Sequence, residues 1–200
     1  PVGRPMVQPA GRDDLVGDLR IATTPELAAN HVIPALSHWM SAHRGLAVHV
    51  EADNQYIDLI EGRIDIALRI SSKIEDSNLH VVPLARVEQV LVASPSYLNQ
   101  STPISRPEDL KHHDLIPMNV IKNYQYLSFQ HGVTNEDISL EMRSRLTSNN
   151  VLVAKALCQQ GHGIARILYL DAQKDLVNGA LVEVLPEWKL PSFTLYAIIS

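Results

Sequence analysis

An α/β fold in two lobes is the architecture this sequence predicts, and three observations predict it. Residues 17–70 alternate apolar strand-like runs with helical periods, and a second alternation of the same kind starts near residue 104. Extended apolar segments near 88–94 and 190–195 stand where crossovers between the two sets belong. Two hundred residues with 46% hydrophobic content suffice for this, since such a chain buries roughly 70% of its unfolded surface. The expected division is a linker or tail over 1–16, a first lobe over 17–88 plus 193–200, and a second lobe over 89–192.

The opening stretch holds Pro1, Pro5 and Pro9, two glycines and mixed charge without an apolar period, which reads as linker or tail. "LRIAT" (19–23) is a short buried strand. The run "TPELAANHVIPALSHWMSAH" then places Leu27, Ala28, Val32, Leu36, Trp39 and Met40 near a 3.6-residue period. Thr24 is its N-cap, Pro25 its first-turn proline, and Pro34 removes a backbone donor and bends the helix. "LAVHVEA" (46–52) is the second strand, "DNQYIDLIEG" a short helix capped by Asp53 or Asn54 and stopped by Gly62, and "RIDIALRI" the third strand. Strand and helix in alternation predict parallel pairing, right-handed crossovers and a sheet covered on both faces.

"LHVVPLA" and "EQVLVAS" extend the pattern, and Pro95 opens a turn of helix. The second set runs "RPEDLKHH" (helix), "DLIPM", "YLSFQ" and "ISLEMRSRL" (strands), then "NNVLVAKALCQQG" (helix) and "HGIARI" (strand). It continues with "YLDAQKDLVNG", a helix closed by Gly179, the strand "ALVEVLP" and a last apolar strand "FTLYAIIS". The absence of an initiator Met, and a final strand with no helix after it, lead us to expect a piece of a longer protein.

Composition excludes several functions. A net charge of -5 argues against a surface that grips polyphosphate. The single cysteine, Cys158, rules out an internal disulfide and Cys-rich metal sites, in keeping with a cytoplasmic setting. No apolar run reaches the twenty or so residues of a membrane span, and no signal segment is visible, so no membrane partner is expected. The nine histidines form no HxxxH pair, and no metal or cofactor motif appears. Cys158 and His162 are separated by the helix stop Gly161, which leaves Cys158 as core filler, while "GHG" reads as a helix stop and tight turn. With no nucleophile–base pair, no catalysis is expected.

"EGRIDIALRI" raises a sharper question. Its period of two sets Ile64, Ile66, Leu68 and Ile70 on one face and Asp65, Ala67 and Arg69 on the other. Arg69 must pair with a carboxylate of the protein or with something that arrives from solution.

"GDLRIATT", "LIEGRIDIALRI", "VLVASPSYL", "ALCQQGHGIA" and "GALVEVLPEW", in this order and spacing, resemble the effector-binding, substrate-binding-like domain of LysR-type transcriptional regulators over residues 17–200. The chain departs from that pattern at His43-Arg44, where Tyr-Pro is frequent, and at Arg166, which no Leu-Pro follows. The resemblance implies two Rossmann-like lobes joined by two crossover strands, in a periplasmic-binding-protein type II-like fold. It also implies a DNA-binding winged helix-turn-helix outside this chain, which alone would touch promoter DNA. A homodimer or tetramer is implied too, with the first helix against helix 150–160 of another copy, and RNA polymerase as a further partner.

In open parallel sheets ligands bind outside the carboxyl ends of the strands. That rule selects Thr23 and Thr24 at the opening of the first helix, Asn54 and Gln55 at the mouth of the second, and Arg69. From the other lobe it selects Thr147, Ser148 and Asn149, with Ile116, Pro117, Met118 and Phe129 as an apolar wall of an interlobe cleft. Such groups suit a small organic anion with an apolar body. The plainer readings are an ion pair for Arg69 and simple helix caps for Thr24, Ser148 and Asn149. The alternatives to a regulator are a periplasmic solute-binding protein of a transport system, which shares the fold, and an enzyme built on the same scaffold.

Overall fold

The computed structural model describes residues 14–55, 58–73, 78–118 and 124–200. They fall into two compact units. The first takes the described residues up to Arg69 with Leu79–Val81 and Ala197–Ser200, and the second takes those in Ile70–Asn78 and Val82–Tyr196.

In the first unit β1 (Val16–Thr23) leads into α1 (Pro25–Leu27), a π-helical turn (Ala28–Val32) and α2 (Ile33–Ala42). Pro34 explains the sequence of windings. It has no N–H for the carbonyl four residues back, so the turn before it widens and the Ile33 N–H reaches the Ala28 carbonyl five residues away. The bend expected at Pro34 is thus taken up as a π turn.

β2 (Gly45–Ala52) pairs with β1 in parallel from Val16 with Gly45 to Thr23 with Ala52. β3 (Ile66–Ser71) pairs with β1 in parallel at Ile21 with Ile66 and Ala22 with Ala67, so the predicted parallel pairing holds here. The short helix expected over 53–62 does not form among the described residues. Instead Asp58 Oδ1 accepts from the N–H groups of Ile60 and Glu61, the Gly62 N–H reaches the Asp58 carbonyl, and Arg63 takes a positive φ of 52°. An aspartate that bonds its own following backbone competes with the helix, and a turn wins. Tyr56 and Ile57 lie outside the described residues.

β4 (His80–Val87) carries the chain into the second unit, where β5 (Gln89–Ala93), α3 (Pro95–Gln100) and a 3-10 turn (Pro107–His112) follow. The helix expected at "RPEDLKHH" is this 3-10 turn. β6 (Leu115–Pro117), β7 (Tyr126–His131), β8 (Asp137–Glu141), α4 (Val151–Gln159), β9 (Ile164–Leu168) and α5 (Tyr169–Asn178) come next. β10 (Val182–Val184), the unforeseen β11 (Trp188–Lys189) and β12 (Phe193–Ile199) complete the chain. Gly179 ends α5 with φ 79°, the left-handed stop its position predicted.

One sheet runs β2-β1-β3-β12-β4, with the strands β4 and β12 divided between the two units, and the second unit holds one sheet β10-β5-β9-β6 and another β11-β7-β8. Gln89–Ala93, expected as a crossover, is instead the fully buried β5, antiparallel to both β9 and β10. Only β6 and β9 are parallel in that sheet, so the parallel pairing of β1, β2 and β3 does not extend to it.

Alternation along these strands sorts the core of the second unit onto two faces. Leu91, Ala93, Leu115 and Ile164 join Leu127, Phe129 and Trp188 on one side. Val90, Val92, Ile116, Ala165 and Ile167 join Ala154 and Cys158 on the other.

Candidate functional site

The first unit brings four of its expected site residues together. Thr24, extended at φ -75° and ψ 154°, caps α1 by accepting from the Leu27 N–H at 3.4 Å, as its position before Pro25 predicts. Thr23, one residue earlier, ends β1 opposite Ala52 at the end of β2. Its carbonyl accepts from the Asp53 N–H at 3.0 Å, and Asp53 Oδ1 accepts from the Gln55 N–H at 2.8 Å. That aspartate turn holds Asn54 and Gln55 beside the two threonines, although no helix begins there.

The side chain of Thr23 is the unusual group. Thr23 is 5% exposed, and its hydroxyl is buried without a hydrogen-bond partner among the described residues. Glu26, 7% exposed in the first turn of α1, leaves Oε1 in the same condition, and sequence reasoning passed over it. Burying polar atoms that meet no partner among the described residues is costly. Arg69 stands in β3, half-buried and already engaged with a partner.

The second unit joins Met118 to Ser148 by a parallel bridge, with the Ser148 N–H 3.5 Å from the Pro117 carbonyl. Thr147 and Asn149 are exposed on either side. The cap of α4 is neither Ser148 nor Asn149. Asn150 accepts from the Leu152 N–H at 2.8 Å, while Ser148 Oγ accepts from the Asn150 N–H at 3.1 Å.

Phe129 does not join this group. Met118 packs against the cluster that holds Val90, Val92 and Ile116, whereas Phe129, 2% exposed, belongs to the core on the opposite face of the sheet, so the two cannot form one wall. Phe129 instead borders a cavity of about 240 Å³ with Gln89, Tyr169, Glu183, Trp188 and Lys189.

Arg166 is the residue that sequence reasoning missed here, although its departure from the expected pattern was the available signal. It lies in β9 between Leu91 of β5 and Pro117 of β6, 5% exposed. Its Nε donates to Gln89 Oε1 at 2.9 Å, and its Nη1 donates to the carbonyls of Tyr124 and Tyr126 at 3.1 Å each.

The other polar groups weighed from the sequence have structural roles. Cys158 is fully buried, donates to the Val92 carbonyl at 3.3 Å, and burial pushes its thiol pKa up to about 11. His113 is enclosed by Tyr97 and Thr102. Gly161 (φ 83°) stops α4, and Gly163 lets the chain pass against Asp114. No group of His, Cys, Asp and Glu among the described residues is arranged to hold a metal ion, and no helix among them is long and apolar enough to cross a membrane.

The family model described as the LysR substrate binding domain matches residues 12–200. The HTH-type transcriptional regulator PtxR of Pseudomonas aeruginosa is 30% identical over 182 residues, 91% of this chain and 57% of that protein. The HTH-type transcriptional activator TtdR of Escherichia coli K12 is 27% identical over 86% of this chain and 55% of that protein. The chain therefore spans a little over half the length of these curated relatives.

Among solved structures, the full-length virulence activator AphB of Vibrio cholerae superposes with a TM-score of 0.80 at 23% identity, covering 94% of this chain and 63% of that one. The regulatory domain of CrgA from Neisseria meningitidis gives 0.78 at 20% identity, covering 92% and 89%. These two likenesses concern the fold.

Proposed function

This chain belongs to the LysR substrate-binding domain family, and from that premise we propose that it is the effector-sensing and oligomerisation domain of a LysR-type DNA-binding transcriptional regulator, taking up a small organic anion. The observation that carries the reading is the family match over residues 12–200, which spans both units. The curated relatives named above are HTH-type transcriptional regulators, and none is a solute-binding protein of a transport system.

A small polar ligand is supported by the chemistry at the strand ends. Thr23 offers a buried hydroxyl without a partner among the described residues, next to the capped start of α1 and the Asp53–Gln55 turn. Thr147, Ser148, Asn149 and Met118 offer hydroxyl, amide and apolar contacts in the other unit. Catalysis has no support: a buried thiol held near 11 is neither ionised nor reachable as a nucleophile. The domain works in the cytoplasm, without cofactor; promoter DNA is contacted by a part of the regulator outside this chain, and RNA polymerase is a further partner.

Oligomerisation is supported by two helices that keep apolar side chains exposed. α2 has no buried residue and exposes Ile33, and α4 exposes Leu152 at 59% and Val153 at 49%. An α2 of one copy against an α4 of another covers both in a two-fold dimer. Leu152→Glu should then lower the mass in analytical ultracentrifugation from dimer to monomer.

The reading is tested by a thermal-shift screen of the domain against small carboxylate metabolites. Binding to the folded state raises the melting temperature in a saturable way. A flat response across a broad panel would overturn the ligand-binding reading.

A further inference from the structure

Two basic side chains are drawn into the second unit, and the fold treats them differently. Lys155 reaches the Asp175 carboxylate at 2.6 Å, an ion pair kept within the chain. Arg166, more deeply buried, has no carboxylate in ion-pairing range among the described residues. Its three acceptors are an amide oxygen and two backbone carbonyls, all neutral.

A guanidinium carries five N–H donors and stays charged throughout the physiological range. Here Nε uses its one, and Nη1 uses both of its own on Tyr124 and Tyr126. Nη2 has no acceptor among the described residues. Two of the five N–H groups therefore remain, both on Nη2, one on each two-pronged edge of the fork.

Gln89 sharpens the point. Its Nε2 donates to the Pro191 carbonyl at 2.7 Å, so the amide is fixed with Oε1 turned toward Arg166. A glutamate of the same size at that position would neutralise the guanidinium. The chain has the neutral amide, which positions the cation and leaves its charge unspent. Burial also draws the Arg166 pKa below its ordinary value, the direction expected of a cation lacking a counter-charge.

The register sets Arg166 in the middle of β9, level with the last residue of its parallel neighbour β6: Pro117 lies opposite Arg166, and the next residue of that chain, Met118, enters the bridge to Ser148.

We propose that Arg166 is the anion receptor of the second unit, taking one carboxylate oxygen of a small ligand end-on at Nη2, with Gln89 as its positioning residue. This rests on the reading of the domain as the sensor of an organic anion. It adds the residue that supplies the counter-charge, which none of the residues chosen from the sequence in that unit can supply.

The test is a titration of the whole domain with acetate, benzoate and succinate at constant ionic strength, followed by thermal shift, on the natural chain, on Arg166→Gln and on Gln89→Glu. Gln89→Glu adds an internal counter-charge with little change of volume and serves even where Arg166→Gln fails to fold. The proposal expects at least one of the three probes to stabilise the natural chain, and either variant to weaken that response about tenfold or more. Equal stabilisation of the natural chain and of Gln89→Glu would overturn the role of Arg166 and leave the sensor reading standing. No stabilisation of the natural chain by any of the three probes would overturn the proposal, while the sensor reading would still be judged by its own wider metabolite screen.

Discussion

The Tyr97 hydroxyl lies 2.6 Å from Nδ1 of His113, and Thr102 Oγ1 lies 3.1 Å from the Nε2 of the same ring. Burial raises the tyrosine pKa and lowers that of the histidine, so the phenol donates to Nδ1 and the neutral imidazole donates from Nε2. Protonation in the folded state would turn Nδ1 into a donor facing a donor.

A pH dependence of stability follows. The folded pKa of His113 lies below its unfolded value of about 6.5, so the unfolded chain binds the proton more readily. The contribution is complete above the unfolded pKa and is lost as the pH falls through it toward the folded one. Urea midpoints should therefore drop between about pH 7.5 and pH 5.5. His113→Gln should flatten that part of the profile, and an unchanged slope would count against the assignment.

Gly163→Ala should destabilise the second unit. The residue sits at φ 150°, and a Cβ there would meet the Asp114 carbonyl oxygen inside contact distance, just where the Ile164 N–H donates to the same carbonyl at 2.9 Å. Backbone against backbone cannot yield as a flexible side chain can. A loss of about 2 kcal/mol or more is expected, or a fall in melting temperature of about 4–8 °C. Gly161→Ala, with open space around its Cβ, should cost less.

Cys158 should be inert in the native state. A buried thiol with its pKa near 11 presents almost no thiolate at pH 8. An aromatic disulfide reagent should therefore release no chromophore from the folded protein and one equivalent in denaturant. Rapid native reaction would show that the thiol is accessible after all.

Thr23→Val and Thr24→Val should part company. Thr24 gives an N-cap bond, and its loss is expected to cost about 1 kcal/mol. The hydroxyl of Thr23 has no partner to lose among the described residues, so an isosteric methyl should leave the unliganded protein at least as stable. The same change should abolish the response to an effector. A substantial destabilisation by Thr23→Val would mean that the hydroxyl has a structural partner.

Several parts of this molecule were readable as local chemistry. Thr24 before Pro25 announced a helix start, Gly179 a helix stop, and the winding at Pro34 followed from a missing N–H. Each depends on atoms within about one turn of chain. The error at residues 53–62 was also local, since Asp58 can cap a helix or close a turn and the pattern of apolar residues did not choose between them.

Met118 and Phe129 show where that legibility ends. Both are apolar and near strand ends, yet they lie on opposite faces of a sheet, because face is set by the register of β6 and β9 and by the separate sheet that carries Phe129. Arg166 is the stronger case. In the sequence it was a single departure from a pattern, and its meaning comes from Gln89, 77 residues away, and from the carbonyls of Tyr124 and Tyr126.

The alternation of strands and helices, the caps and stops, and the family of the chain were written in the order of residues, because helical periods, strand pleats and capping bonds reach only a few positions along the chain. Which threonine hydroxyl meets no partner, and which guanidinium no counter-charge, among the described residues was decided by packing alone. Burial sets the cost of a polar group, and burial is created by segments that meet only when the chain has folded.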